Sequence, residues 1–204
     1  MSQTMQLIYP ESGFQPIDLS QFWHEVSEAE FIEFCERNPD MRIEMSKDGD
    51  IIIMPPTNTE TGKKNFDLSV DFGVWLRKNK RGVAFDSSTG FTLPNGARRS
   101  PDLTFVQNEK WNNLSREEKR RFARLVPDFV IELRSETDSL KDLREKMSEY
   151  IENGVSLGWL IDPQERKIHI YRAEKEVEIL DNPKQIFGES VIDNFVLDLK
   201  NIFD

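Results

Sequence analysis

The chain has 204 residues, 37% of them hydrophobic and 31% charged, with fourteen Phe and four Trp, which suits one packed domain and excludes a disordered chain. A net charge of -10 works against any polyanionic partner, because Lys and Arg contacts to phosphate dominate nucleic-acid affinity. The longest apolar runs are strand-sized and the N-terminus lacks a basic region followed by an apolar block, so no membrane span is expected and the expected address is the cytoplasm. Cys35 is the only cysteine, which rules out an internal disulfide or a thiolate metal cluster.

Residues 1–40 read as an N-terminal arm and short helix, and residues 41–204 as the main domain. Within the first part, "SEAEFIEFCERNP" has Ser27 as a cap and Glu30 three places on, and it stops before Pro39. "MRIEMSKDGDIIIMPP" reads as a hairpin turning at Lys47-Asp48-Gly49. From Thr57 to Lys80 the pattern is helical, with Phe66, Val70 and Val74 on one face and Leu68, Phe72, Trp75 and Leu76 on the other. A helix apolar on two sides has two neighbours: the sheet, and either another helix or a second subunit, so a homodimer is expected.

Strand-like runs follow at "GVAFDSS", "GFTLP" and "SPDLTFV", then a charged helix at 115–125, then the strand "VPDFVIELRSE" at 126–136. "SLKDLREKMSEYIENG" places Leu140, Leu143, Met147, Tyr150 and Ile151 at helical spacing, with Gly154 as the stop. "LGWLIDP" and "KIHIYRA" read as a hairpin, and "EVEIL" as a further strand before a mixed C-terminal end. This order predicts an α/β fold with a mixed β-sheet flanked by helices rather than an all-parallel sheet.

Alternation in the strand at 126–136 puts Phe129, Ile131 and Leu133 on one face and Val130, Glu132 and Arg134 on the other. Burying a carboxylate costs several kcal/mol unless a partner or a metal compensates. Either Glu132 pairs with Arg134 at a sheet edge, or Glu132 is catalytic. Asp102 starts another strand, and two strands can bring it to Glu132. Carboxylates that converge raise one another's pKa unless a divalent cation neutralises them. Mg2+ (or Mn2+) suits oxygen donors of this kind, with the Leu133 carbonyl as a further ligand. Asp128 is set aside, since four strand residues separate it from Glu132 by about 13 Å. Asp162-Pro163 reads as a turn, and His24 and His169 lack any metal spacing. No glycine-rich phosphate loop occurs.

Pro101-Asp102 and Glu132-Leu133-Arg134 resemble the two halves of the PD-(D/E)XK nuclease signature. The longer context, "FDSSTGFTLPNGARRSPDLTFV" with "VPDFVIELRSETDSLKDLREKMSEYIENGVSLGWLIDP", is similar to the bacterial Uma2 family of restriction-endonuclease-like proteins, from about Met41 to the C-terminus. The resemblance implies a restriction-endonuclease-like fold, a divalent metal and hydrolysis of DNA phosphodiester bonds. Arg134 stands where the signature has Lys, and a guanidinium cannot act as a base; it can only orient or stabilise phosphate oxygens.

The superfamily tolerates a lysine displaced to the next helix, which points to Lys146, beside Leu143 and Tyr150; the alternative is a border lysine snorkelling to water. Glu60, at the start of the long helix, either holds a second metal or a water or simply favours the helix N-terminus. Glu44 in the first strand carries less weight. In the resulting reading Asp102 and Glu132 hold the metal, Lys146 positions or activates the attacking water, Arg134 stabilises phosphate, and basic residues at 77–81 and 98–99 touch the DNA backbone. Its rivals are a catalytically inactive nuclease fold that binds DNA or protein, and hydrolysis of a non-nucleic phosphoester.

Overall fold

The computed structural model describes residues 27–204; the arm expected over residues 1–20, and His24, lie outside them. The chain divides into two compact units, residues 1–43 and Glu44–Asp204. In the first, α1 (Glu28–Arg37) starts with a reciprocal cap in which the Ser27 hydroxyl accepts from the Glu30 N–H and the Glu30 carboxylate accepts from the Ser27 N–H. The expected hairpin of β1 (Arg42–Met45) and β2 (Ile51–Met54), with Gly49 in the turn at φ +87°, falls from Glu44 onward in the second unit.

The second unit is built on α2 (Thr59–Asn79), whose first turn is capped by the Asn58 side chain accepting from the Thr61 N–H. After it come β3 (Gly82–Asp86), β4 (Phe91–Thr92), β5 (Arg98–Arg99), β6 (Leu103–Gln107) and α3 (Asn108–Asn113). The helix expected at 115–125 is a correction. Ser115 and Glu118 do form a reciprocal cap, yet only one 3-10 turn, Glu118–Arg120, follows. The chain then extends because Ala123 and Leu125 are buried with Phe91 and Val106, and tertiary burial outweighs local helix preference.

The chain continues through β7 (Phe129–Leu133), α4 (Leu140–Glu152), β8 (Leu157–Asp162), β9 (Lys167–Arg172), β10 (Glu178–Asp181), β11 (Gln185–Phe187), β12 (Val196–Asp198) and α5 (Lys200–Phe203). Six strands form one sheet in the order β10-β9-β8-β7-β6-β3. Only β7 and β8 pair in parallel, joined by α4; the other neighbours are antiparallel. The mixed sheet flanked by helices is therefore the expected α/β architecture.

Because β7 is internal, both of its faces are buried. Phe129, Ile131 and Leu133 join Leu68, Phe72 and Trp75 of α2 in the larger core, while Val130 lies under Met147 and Tyr150 of α4. A Cβ added to Gly158 of β8 would come within 2.5 Å of the Met147 side chain, so the glycine lets α4 lie close to the sheet directly above β7. That closeness brings the polar edge of α4 to Glu132.

Candidate active site

Glu132, buried on the α4 face of β7, has two partners on one helix. The Tyr150 hydroxyl donates a 2.8 Å hydrogen bond to its Oε1, and Lys146 Nζ stands 2.9 Å from the same oxygen. Lys146 and Tyr150 are four residues apart, so they project from one side of α4. Lys146 Nζ also donates over 2.9 Å to Oε1 of Glu44 on β1. Glu44 accepts in addition from the Ser100 N–H at 2.9 Å and from Arg99 Nη1 at 3.2 Å. Arg99 in turn donates from Nε to Glu149 of α4 at 2.7 Å.

The β6–β7 register pairs Leu103 with Ile131, and Asp102 lies one place before Leu103, beside Glu132. Its Oδ2 accepts a 2.9 Å hydrogen bond from the Leu133 N–H. Four strands and one helix thus bring Glu44, Arg99, Asp102, Glu132, Lys146 and Tyr150 to one face of the large sheet.

The charges do not balance, and this sets the protonation of the group. Burial pushes the Glu132 carboxyl up to about 7; Lys146 pulls against this, and the carboxylates of Asp102 and Glu44 add to it. For Glu44 burial acts upward, but Lys146, the Ser100 N–H and Arg99 hold it below the ordinary carboxylate value. Burial would lower Lys146, yet Glu132 and Glu44 hold it above the usual lysine value. Burial and the same two carboxylates raise Tyr150. Lys146 is therefore an ammonium that donates, and Glu132 is the member of the cluster that changes protonation near neutrality.

The other sequence candidates lie elsewhere. Arg134 does not pair with Glu132, and β7 is not a sheet edge. Its Nη1 donates over 2.8 Å to the fully buried Asp162, which also caps its own turn by accepting from the N–H groups of Gln164 and Glu165. Glu60 is exposed on α2 and bonded to Lys64 at 2.7 Å, which lowers its pKa. Glu60, Leu133 and Arg134 line a cavity of about 220 Å³ beside the N-terminus of α2. Asp128 accepts from the Gln107 N–H and pairs with Lys110, in keeping with its exclusion.

The expected backbone contact at 98–99 is corrected: Arg98 and Arg99 are only 4% and 9% exposed. Arg99 is turned inward by Glu44 and Glu149. Glu44, Arg99 and Tyr150 are the cluster members that sequence reasoning undervalued. Glu44 shows the same signature as Glu132, a lone carboxylate in an apolar strand, and Tyr150 is one helical turn beyond Lys146.

Among the described residues no three His, Cys, Asp or Glu side chains are gathered as a ligand set. The donor chemistry nevertheless suits a hard divalent cation. The Asp102 carboxylate raises the cost of ionising the adjoining Glu132, and Mg2+ binds through one or two carboxylates while keeping several waters.

A family described as "Putative restriction endonuclease", Uma2, matches residues 28–200. The chain belongs to the Uma2 family. A crystal structure titled as a "putative nuclease belonging to DUF820", from Anabaena variabilis, shares the fold, with a TM-score of 0.66 and 24% identity over 79% of this chain and 89% of that one. Among curated proteins no relative matches the sequence. No described helix is long and apolar enough to cross a membrane.

Proposed function

We propose that this Uma2 protein is a divalent-metal-dependent endonuclease that hydrolyses phosphodiester bonds in DNA, with residues 41–204 as the catalytic domain and 1–40 as an N-terminal arm and short helix. The observation that carries the reading is the Lys146 ammonium held between Glu44 and Glu132 beside Asp102. Asp102 and Glu132 would hold Mg2+ or Mn2+, with the Leu133 carbonyl as a further oxygen. When bound, such a cation lowers the pKa of a water and stabilises charge on a phosphoryl oxygen.

The chain's own groups do the positioning. Glu44 and the Tyr150 hydroxyl fix Lys146 and Glu132 against one another, so neither must reorganise when substrate arrives. Lys146, kept charged, donates to the water or to a phosphate oxygen and does not take a proton in this state. Arg134 acts through Asp162 on the end of β7, and Glu60 is at most a helper from the α2 cavity.

The uncovered face of α2 supports a homodimer. Phe66, Val70 and Val74 are 68%, 44% and 50% exposed, and no described element covers them. An antiparallel contact between two copies of α2, centred between Val70 and Val74, sets Asp67 of one copy opposite Arg77 of the other.

Plasmid cleavage with Mg2+ or Mn2+ tests the reading. Wild type is expected to cut, and Asp102→Asn, Glu132→Gln and Lys146→Ala to lose at least about a hundredfold. If DNA binds but no metal gives cutting, the inactive-module reading replaces this one; the fully bonded Lys146 network is the observation in its favour.

A further inference from the structure

We propose that residues 116–124 form the platform on which the DNA backbone rests, a few base pairs from the Asp102–Glu132 site; this rests on the nuclease reading above. The acidic chain needs a local source of positive charge, and the two sources expected from sequence do not supply it. Arg98 and Arg99 are buried, and Arg77 and Lys78 end α2, which packs on the opposite face of the large sheet from the site.

Residues 115–125 carry five basic side chains against two acidic ones. Arg116, Arg120, Arg121 and Arg124 are exposed. Glu118 is taken up by the Ser115 cap and Glu117 by Arg121. Arg116 and Arg120 have no carboxylate partner among the described residues. Lys119 lies over the Trp111 ring, 4.7 Å from its centroid.

The segment is anchored rather than free to swing. The Thr92 N–H donates to the Ala123 carbonyl at 2.9 Å, and Ala123 and Leu125 are buried with Phe91 and Val106. A Cβ on Gly90 would come within 2.1 Å of the Phe122 ring, so the glycine makes room for this docking. A fixed strip of guanidinium groups loses little freedom on meeting phosphate, and each can bind it through two donors.

Its distance from the site follows from strand geometry. Ala123 bridges Phe91, and Phe91 pairs with Arg99; two strand spacings of about 4.8 Å place Ala123 roughly 10 Å from the Arg99 backbone. Along β6, Val106 of the same apolar cluster is four residues from Asp102 and on the same face, about 13 Å away. A duplex rises about 3.4 Å per base pair. The platform therefore meets backbone about three or four steps from the phosphate at the site, where contacts position DNA without reading its sequence.

The test is binding of a short fluorescent duplex by the full chain in Ca2+, followed by anisotropy between about 50 and 200 mM salt. The double variant Arg116→Gln/Arg120→Gln should bind at least about tenfold more weakly, with the slope of log K against log salt smaller by about 2. Lys175→Gln/Lys184→Gln, two exposed lysines near β10 and β11, should leave both unchanged. If wild type binds and the first variant keeps its affinity and slope, the platform is refuted and the nuclease reading stands. If wild type binds neither duplex nor single strand and does not cut, both fall together.

Discussion

Lys146 Nζ lies 2.9 Å from Oε1 of Glu132, and this contact joins a helix to the central strand of the sheet. The same nitrogen reaches Glu44, so one ammonium serves two buried carboxylates. Removing one partner of a buried ionic group costs about 3–5 kcal/mol, because the others stay buried and uncompensated. Lys146→Met, which keeps most of the aliphatic volume, should lower stability by that order, read as a lower melting temperature in metal-free buffer. Mg2+ should then recover part of the loss by binding the freed carboxylates. A melt lowered by the substitution but indifferent to Mg2+ would count against a cation at Asp102 and Glu132.

Glu132 makes stability depend on pH in a direction opposite to that of an ordinary salt-bridged carboxylate. Its folded value, about 7, exceeds the reference value of 4.5, so the folded protein keeps a proton that the unfolded chain has already lost. Stability from this group is full below the unfolded value and declines as pH rises through about 7, by about 3 kcal/mol in total. Glu44, lowered in the fold, acts in its own window beneath the ordinary value, where its contribution is lost as pH falls. Between about pH 5 and 8 Glu132 lowers stability as pH rises, whereas His169, lowered by burial, acts in the opposite sense; Glu132→Gln should remove the first of these dependences of melting temperature on pH. Protons and metal compete for the same oxygens, so stabilisation by Mg2+ should grow across that window.

Much of the fold was legible because its signals are local. The Ser27–Glu30 cap, the Lys47-Asp48-Gly49 turn and the apolar spacing of α4 each need only a few neighbouring residues. The segment 115–125 misled for the opposite reason: its Ser115–Glu118 cap is real, but burial of Ala123 and Leu125 against a distant strand decides the conformation. Glu132 stood out as a charge in a buried strand. The inward turn of Arg99 did not, since it depends on Glu44 and Glu149, each at least fifty positions away. Pairings at that separation leave no periodic trace in one sequence.

Arg134 and Asp162 offer a test of whether the guanidinium at the third signature position serves structure or substrate. Asp162 is fully buried, with Arg134 as the cation at 2.8 Å. Arg134→Ala should cost about 3–5 kcal/mol. Adding Asp162→Asn should return much of this, giving a coupling energy in a double-mutant cycle. DNA binding by the stable double variant should keep the wild-type salt slope. A slope smaller by about 1 with an unchanged melt would instead put Arg134 on a phosphate.

The apolar stripe on α2 has a consequence for assembly that can be separated from folding. Phe66 is largely exposed and contributes nothing to the core beneath Leu68 and Phe72, so changing it should move the stability of a single chain by no more than about 0.5 kcal/mol. Wild type should sediment as a dimer and Phe66→Ser/Val74→Ser as a monomer with an intact circular-dichroism spectrum. Asp67→Arg should weaken the dimer by setting like charges together, and Arg77→Asp added to it should restore the pair with its signs reversed. That restoration distinguishes an antiparallel α2 contact from general stickiness, because a non-specific apolar patch has no register in which positions 67 and 77 must meet. A wild type that stays monomeric at high concentration would exclude the contact altogether.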